Sequence, residues 1–150
     1  MSLISSIAKP VLAIAAAGSI VLTASGCSAI ESLFRKDAWA VTYEITVSGN
    51  EPAELTDVTY SGQEKRREPV ILYEVGTVKT GPIEGLSDQT GWTQEAMLDV
   101  ENLASVSATA PDDLSASCRI LLDNERVIAS GTGEPGGTVL CEAVTPLFDE

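Results

Sequence analysis

Residues 38–48 read Ala38-Trp39-Ala40-Val41-Thr42-Tyr43-Glu44-Ile45-Thr46-Val47-Ser48, and their alternation decides the fold class. Successive side chains of a β-strand point to opposite faces. Here Trp39, Val41, Tyr43, Ile45 and Val47 share one face, while Ala40, Thr42, Glu44 and Thr46 share the other. An aromatic and β-branched row beside a polar row predicts a half-buried antiparallel strand.

Working outward, Gly49-Asn50-Glu51-Pro52 ends this strand, and a second over Glu54 to Ser61 sets Val58 and Tyr60 on one face. Gly62 to Glu68 is a charged connection. After Pro69, the run Val70-Ile71-Leu72-Tyr73-Glu74-Val75 is apolar on both faces and predicts a central strand. Gly76 to Gly91 is punctuated by glycine and proline and predicts a loop with a short strand around Gly76 to Lys79. Trp92 to Val100 reads as a strand with Trp92, Gln94, Ala96, Leu98 and Val100 on one side, although Thr93 to Leu98 also tolerates a helical turn. Leu103 to Ala110 is a strand of small residues, ended by Pro111-Asp112-Asp113. Ser115 to Leu122 and Arg126 to Ser130 form a hairpin across Asp123-Asn124-Glu125. Gly131 to Gly137 turns the chain into a last strand, Thr138 to Val144. Seven or eight short strands with frequent turns predict an all-β fold, an immunoglobulin-like antiparallel β-sandwich over residues 38–147.

Composition narrows the chemistry. The 150 residues hold 22 Asp and Glu against 9 Lys and Arg, no His and three Cys, for a net charge of −13. Without imidazole there is no Ser-His-Asp or Cys-His nucleophile and no His-ligated metal. The negative charge repels a phosphate backbone, which argues against a nucleic-acid partner.

The start of the chain reads as an address. Lys9 precedes fourteen uncharged residues, Val11 to Ala24, and then Ser25-Gly26-Cys27. A cation, an apolar stretch and a small-residue exit predict a secretory signal peptide over residues 1–26. The apolar stretch rises about 21 Å as a helix, against a hydrocarbon core of about 30 Å. The small residues before Cys27 resemble the lipobox of bacterial lipoproteins, which implies cleavage between Gly26 and Cys27 and acylation of the Cys27 thiol. Such acyl chains anchor a protein to the membrane at about 0.8 kcal/mol per buried methylene. Two alternatives stand beside this: an ordinary cleavage site that happens to precede a cysteine, and a retained anchor helix drawn from the uncharged residues Pro10 to Ile30. Removing residues 1–26 takes Lys9 and no acid, leaving 22 acids against 8 bases, a net −14. Residues 27–37 then form a lipidated N-terminus and tether.

With Cys27 used for lipid, Cys118 and Cys141 remain. Outside the cytoplasmic membrane a surviving pair is usually a disulfide. The alternative, a redox pair, lacks the C-x-x-C spacing that lowers a thiol pKa. Asp112-Asp113 and Asp123-x-Glu125 fall where turns favour Asp, without the spacing of a calcium loop. Gly131 to Gly137 lacks the Gly-Lys-Ser/Thr ending of a phosphate loop. The reading therefore names no catalytic residue, no metal and no cofactor. Lys65-Arg66-Arg67, flanked by Glu64 and Glu68, is the one basic run; it reads first as a solvated charged loop, with a contact for an acidic partner or an anionic head group as the alternative. Trp39 and Trp92 are expected to anchor the core.

Several short stretches together resemble the small mycobacterial membrane protein (MmpS) family of transport accessory proteins. They are Val41-Thr42-Tyr43-Glu44-Ile45-Thr46, Asp57-Val58-Thr59-Tyr60, Gly91-Trp92-Thr93, Cys118-Arg119-Ile120 with Leu122-Asp123, and Cys141-Glu142-Ala143-Val144. The resemblance covers residues 38–145. It implies a compact β-sandwich with a Cys118–Cys141 disulfide and a role beside an RND-type (MmpL-like) exporter of lipids or siderophores. Family members usually keep a transmembrane helix where this chain has a lipobox-like end, and they carry a Leu-Pro lead-in before the tryptophan that is missing here. The function expected is that of a membrane-anchored, non-enzymatic accessory lipoprotein. The alternative is an envelope lipoprotein that binds a ligand in a small apolar pocket between its sheets.

Overall fold

The strand Ala38–Ser48, β1, is hydrogen-bonded along both edges. In a computed structural model describing residues 37–148, it pairs antiparallel with β5 (Leu86–Asp99) on one side and β7 (Ala116–Leu122) on the other. The remaining elements are β2 (Glu54–Gly62), β3 (Ile71–Lys79), β4 (Gly81–Ile83), β6 (Leu103–Thr109), β8 (Arg126–Thr132) and β9 (Thr138–Val144). They form two antiparallel sheets, one in the order β4-β5-β1-β7-β8 and the other in the order β3-β2-β6-β9. The all-β sandwich is present with nine strands among the described residues, the addition being the short β4. The signal segment, Cys27 and the tether up to residue 36 lie outside the described residues.

Alternation fills the space between the sheets. Val41, Tyr43 and Ile45 of β1 are fully buried, as are Leu98 of β5, Ala104, Val106 and Ala108 of β6, and Ile120 of β7. Val58 and Tyr60 both turn inward from β2. Leu55 joins them, since Asp57 at φ 51° sits in an irregularity that resets the alternation. Tyr43 is the largest fully buried side chain, and its hydroxyl crosses to the other sheet. It donates to the Ser61 carbonyl at 2.7 Å and lies 3.0 Å from Ser61 Oγ, which in turn donates to the Leu103 carbonyl. Polar tips buried at this depth need such partners. On the outer face, Glu44 of β1 stands opposite Arg119 of β7, whose Nη2 and Nε donate to Glu44 Oε1 at 2.6 and 2.9 Å.

Two sequence expectations are corrected, and the helical alternative to the Trp92–Val100 strand falls. Val70 to Val75 is not central: β3 lies at an edge, because the second side of β2 is taken by β6. Gly76 to Gly91 is mostly strand rather than loop. Gly76 (φ 83°) sits at an irregularity inside β3, and Gly85 (φ 82°) turns β4 into β5. Gly91 lies inside β5 because a Cβ there would meet the Ile45 carbonyl oxygen at 2.5 Å and the Ile83 side chain. Thr93 to Leu98 makes no helical turn, since each residue pairs with β1. The Asp123-Asn124-Glu125 hairpin is present. Both Asp123 and Asn124 take positive φ, and Glu125 N donates to the Leu122 carbonyl, the twist that suits a tight hairpin.

Cys118 of β7 and Cys141 of β9 are disulfide-bonded across the two sheets, 23 residues apart. Replacing both with Ala is expected to lower unfolding free energy by about 3 kcal/mol on the chain-entropy view, measured by urea denaturation under non-reducing conditions. A second expectation concerns alkali. Burial raises the Tyr43 phenol from 10.0 to about 12, against the lowering effect of its hydrogen bonds. The folded state therefore holds this proton longer than the unfolded chain. The contribution is complete below pH about 10 and fades as pH rises toward 12, a loss of roughly 2–3 kcal/mol. Denaturation across this range should show that Tyr43→Phe, about 1 kcal/mol less stable at neutral pH, lacks that part of the alkaline decline.

Candidate functional site

Antiparallel pairing gathers the candidate residues of the sequence at particular ends and edges. β1 begins where β5 ends (Ala38 opposite Asp99) and where β7 ends (Val41 opposite Leu122). This leading end therefore also carries the β2–β3 loop, the β7–β8 turn and the segment after β9. Among residues 37–148, Lys65, Arg66, Arg67 and Arg126 all lie here. The trailing end holds Glu51, Glu84, Asp88, Asp112, Asp113 and Glu134, with Lys79 as its basic residue. The two acidic turns read as half-sites for calcium thus stand at opposite ends. Among the described residues no three metal-ligating side chains converge.

The loop carrying Lys65-Arg66-Arg67 is built rather than loose. Gln63 is 7% exposed and reaches in two directions. Its Nε2 donates to the Glu68 carbonyl and to Asp99 Oδ2, while its Oε1 accepts from Asp99 N at 2.6 Å. Asp99 Oδ2 also accepts from Arg67 N at 2.7 Å, which holds Arg67 in a left-handed conformation (φ 64°). The Asp99 carbonyl accepts from Thr145 Oγ1 at 2.7 Å, so the C-terminal segment is fastened to the same point. Beyond it Trp39 Nε1 donates to the Pro146 carbonyl, and the Trp39 ring stacks on Phe148 at 3.9 Å.

The basic side chains are exposed yet already engaged. Arg66 Nη1 lies 2.9 Å from Asp37 Oδ1, close enough for an ion pair without an aligned hydrogen bond. Arg67 lies 3.7 Å from the same carboxylate, and Lys65 lies 3.8 Å from Glu68. Exposed pairs of this kind contribute little to stability. A shallow groove of about 460 Å³ runs beside them, floored by Ala38, Ala40 and Met97 and flanked by Arg66, Glu95 and Asp123. Trp39 lines it, and Trp92 packs against Tyr60. Both tryptophans are half-buried at the margin of the core rather than inside it.

The sequence reading missed a second surface. Val70, Ile71, Leu72 and Val75 are 37–58% exposed along the outer margin of the four-stranded sheet. Tyr73 stacks on Tyr60 at 5.0 Å, and Tyr60 meets Trp92 of the facing sheet at 6.2 Å, forming an aromatic tier beneath that margin. Desolvation, followed by the charges of Glu64, Tyr60 and Glu68, raises the Tyr73 phenol above its ordinary value. The nearest sequence signal was Pro69 just before the run and Gly76 just after it, both residues that belong at sheet margins.

Comparison of the chain with protein-family models, curated proteins and solved structures finds no match in any of the three. The loop architecture generates one expectation of its own. Gln63→Ala removes both Asp99 contacts and the Glu68 contact, and should cost about 1–3 kcal/mol, read from chemical denaturation. Hydrogen exchange at the Arg67 amide should accelerate while exchange in β1 stays slow.

Proposed function

We propose that the chain is a lipid-anchored, extracytoplasmic accessory module without enzymatic activity, working through its sandwich surface beside an RND-type (MmpL-like) exporter of lipids or siderophores. The observation that carries this reading is the buried Cys118–Cys141 cystine joining the two sheets, since structural disulfides belong to oxidising compartments. The position of the leading end adds support. The chain enters the sandwich there, ten residues after Cys27, so a tether of at most about 35 Å would hold this end toward the bilayer. The acid-rich trailing end would then point away, and its charge would disfavour contact with anionic lipid. Lys65, Arg66 and Arg67 stand at the leading end of the sandwich, as a candidate contact with an acidic partner.

Intact-mass analysis of protein extracted from membranes tests the anchor. The expected species begins at Cys27 with added acyl mass, and Cys27→Ser should leave the membrane fraction. A cytosolic species beginning at Met1 with an unmodified thiol would overturn the reading. For the exporter, a deletion strain should release less lipid or siderophore cargo, and unchanged export would remove the transport role.

A further inference from the structure

The sequence of β3 is that of a strand with two neighbours, and the fold supplies one. Ile71 to Glu74 pair in regular register with Gly62 to Thr59 of β2, while the outer edge of β3 has no partner strand among the described residues. An edge strand presents a row of unpaired backbone N–H and C=O groups, which native proteins shield with charge, proline, bulges or brevity. β3 is nine residues long. Its shielding devices sit outside its straight part: Pro69 precedes it, the irregularity at Val75 and Gly76 follows Glu74, and Lys79 ends it. Between Ile71 and Val75 the sole charge is Glu74.

The side chains along this stretch are equally uncovered. By alternation Ile71 and Tyr73 lie on the core-side face, next to the Tyr60–Trp92 tier, and Leu72 and Glu74 lie on the outer face. Leu72 is 58% exposed. The other exposed apolar residues of this sheet, Leu103, Leu140 and Val144, are broken up by Ser105, Ser107 and Glu142 in the paired rows of β6 and β9. Among the described residues, only at β3 do an open backbone edge and a contiguous apolar row coincide.

We propose that β3 is a docking edge, where an extended segment of another protein adds as a fifth strand to the four-stranded sheet along Ile71–Val75. The segment is apolar, β-branched, and carries Lys or Arg across from Glu74. Charge selects this occupant over a second copy of the chain. Residues 37–148 hold 19 acids against 6 bases, so a twofold pairing would bring two net-negative surfaces together. A cation opposite Glu74 gives instead a favourable cross-strand pair. The regular stretch, Ile71 to Glu74, is four residues long, so the added strand is short, and recognition joins main-chain hydrogen bonds to a few side-chain contacts. This inference goes beyond the exporter reading and requires neither the lipid anchor nor transport.

The test uses the full chain in detergent and two short synthetic peptides alternating Val and Thr, one with a central Lys and one with a central Glu. The Lys peptide should bind, by fluorescence anisotropy, about three- to tenfold more tightly than the Glu peptide, with the difference shrinking in high salt. Its binding should slow amide exchange at Ile71–Val75. Glu74→Lys, a change on the exposed face, should reverse the preference by a similar factor. The proposal is overturned by absence of binding, by equal affinity for both peptides, or by binding that leaves exchange at Ile71–Val75 unaltered. Reversible dimers of the chain alone in sedimentation, lost in Glu74→Lys or Leu72→Lys, would also overturn it by assigning the edge to a second copy.

Discussion

β1 has hydrogen-bonding neighbours on both edges, and the apolar odd-numbered side chains of its middle are buried against the second sheet. That single constraint orders the rest of the sandwich. Val41, Tyr43, Ile45 and Val47 require a facing layer, which β2, β6 and β9 provide with Val58, Ala104, Val106, Ala108 and Val139. Small residues on β6 leave room for the bulk of Tyr43. The Tyr43 hydroxyl then ties the layers through Ser61, whose Oγ also accepts from Ser105 N at 2.9 Å. A polar group so deep is stabilising only while each partner is present.

The two flanks of the sandwich are closed by different chemistry. On one flank the Cys118–Cys141 bond joins β7 to β9 covalently, with both cysteines buried. On the other, β3 and β5 meet through the rings of Tyr60, Tyr73 and Trp92. The flank held by rings is also where the open edge runs, and this asymmetry makes β3 rather than β9 the surface suited to a partner.

The leading end shows how a charged loop is held by neutral means. Its three cations do not position one another. The buried amide of Gln63 and the carboxylate of Asp99 fix the backbone, and the Lys65, Arg66 and Arg67 side chains then find Asp37 and Glu68. Because Asp99 also receives Thr145 from the C-terminal segment, the loop, the start of β1 and the end of the described chain form one polar unit. A basic motif seated this way can present its exposed faces without losing its shape.

What could be read from the residues alone was whatever depends on the backbone's local period. Alternation gave the inward rows of β1, of Val58 and Tyr60 in β2 and of Trp92, Ala96 and Leu98 in β5, and Asp123-Asn124-Glu125 gave the hairpin. The lack of His removed imidazole chemistry, and two cysteines in apolar strands anticipated the cystine. Gln63 was not legible, since its partner Asp99 is 36 residues away and a lone amide in a charged loop leaves no pattern. Val70 to Val75 was misplaced for a related reason. An apolar run on both faces reports that both faces avoid water, but it cannot report how many strands lie beside it. Alternation is a property of one strand, written into its own residues; the number of neighbours is a property of the sheet. It was settled only when β6 took the free side of β2 and left β3 at the edge.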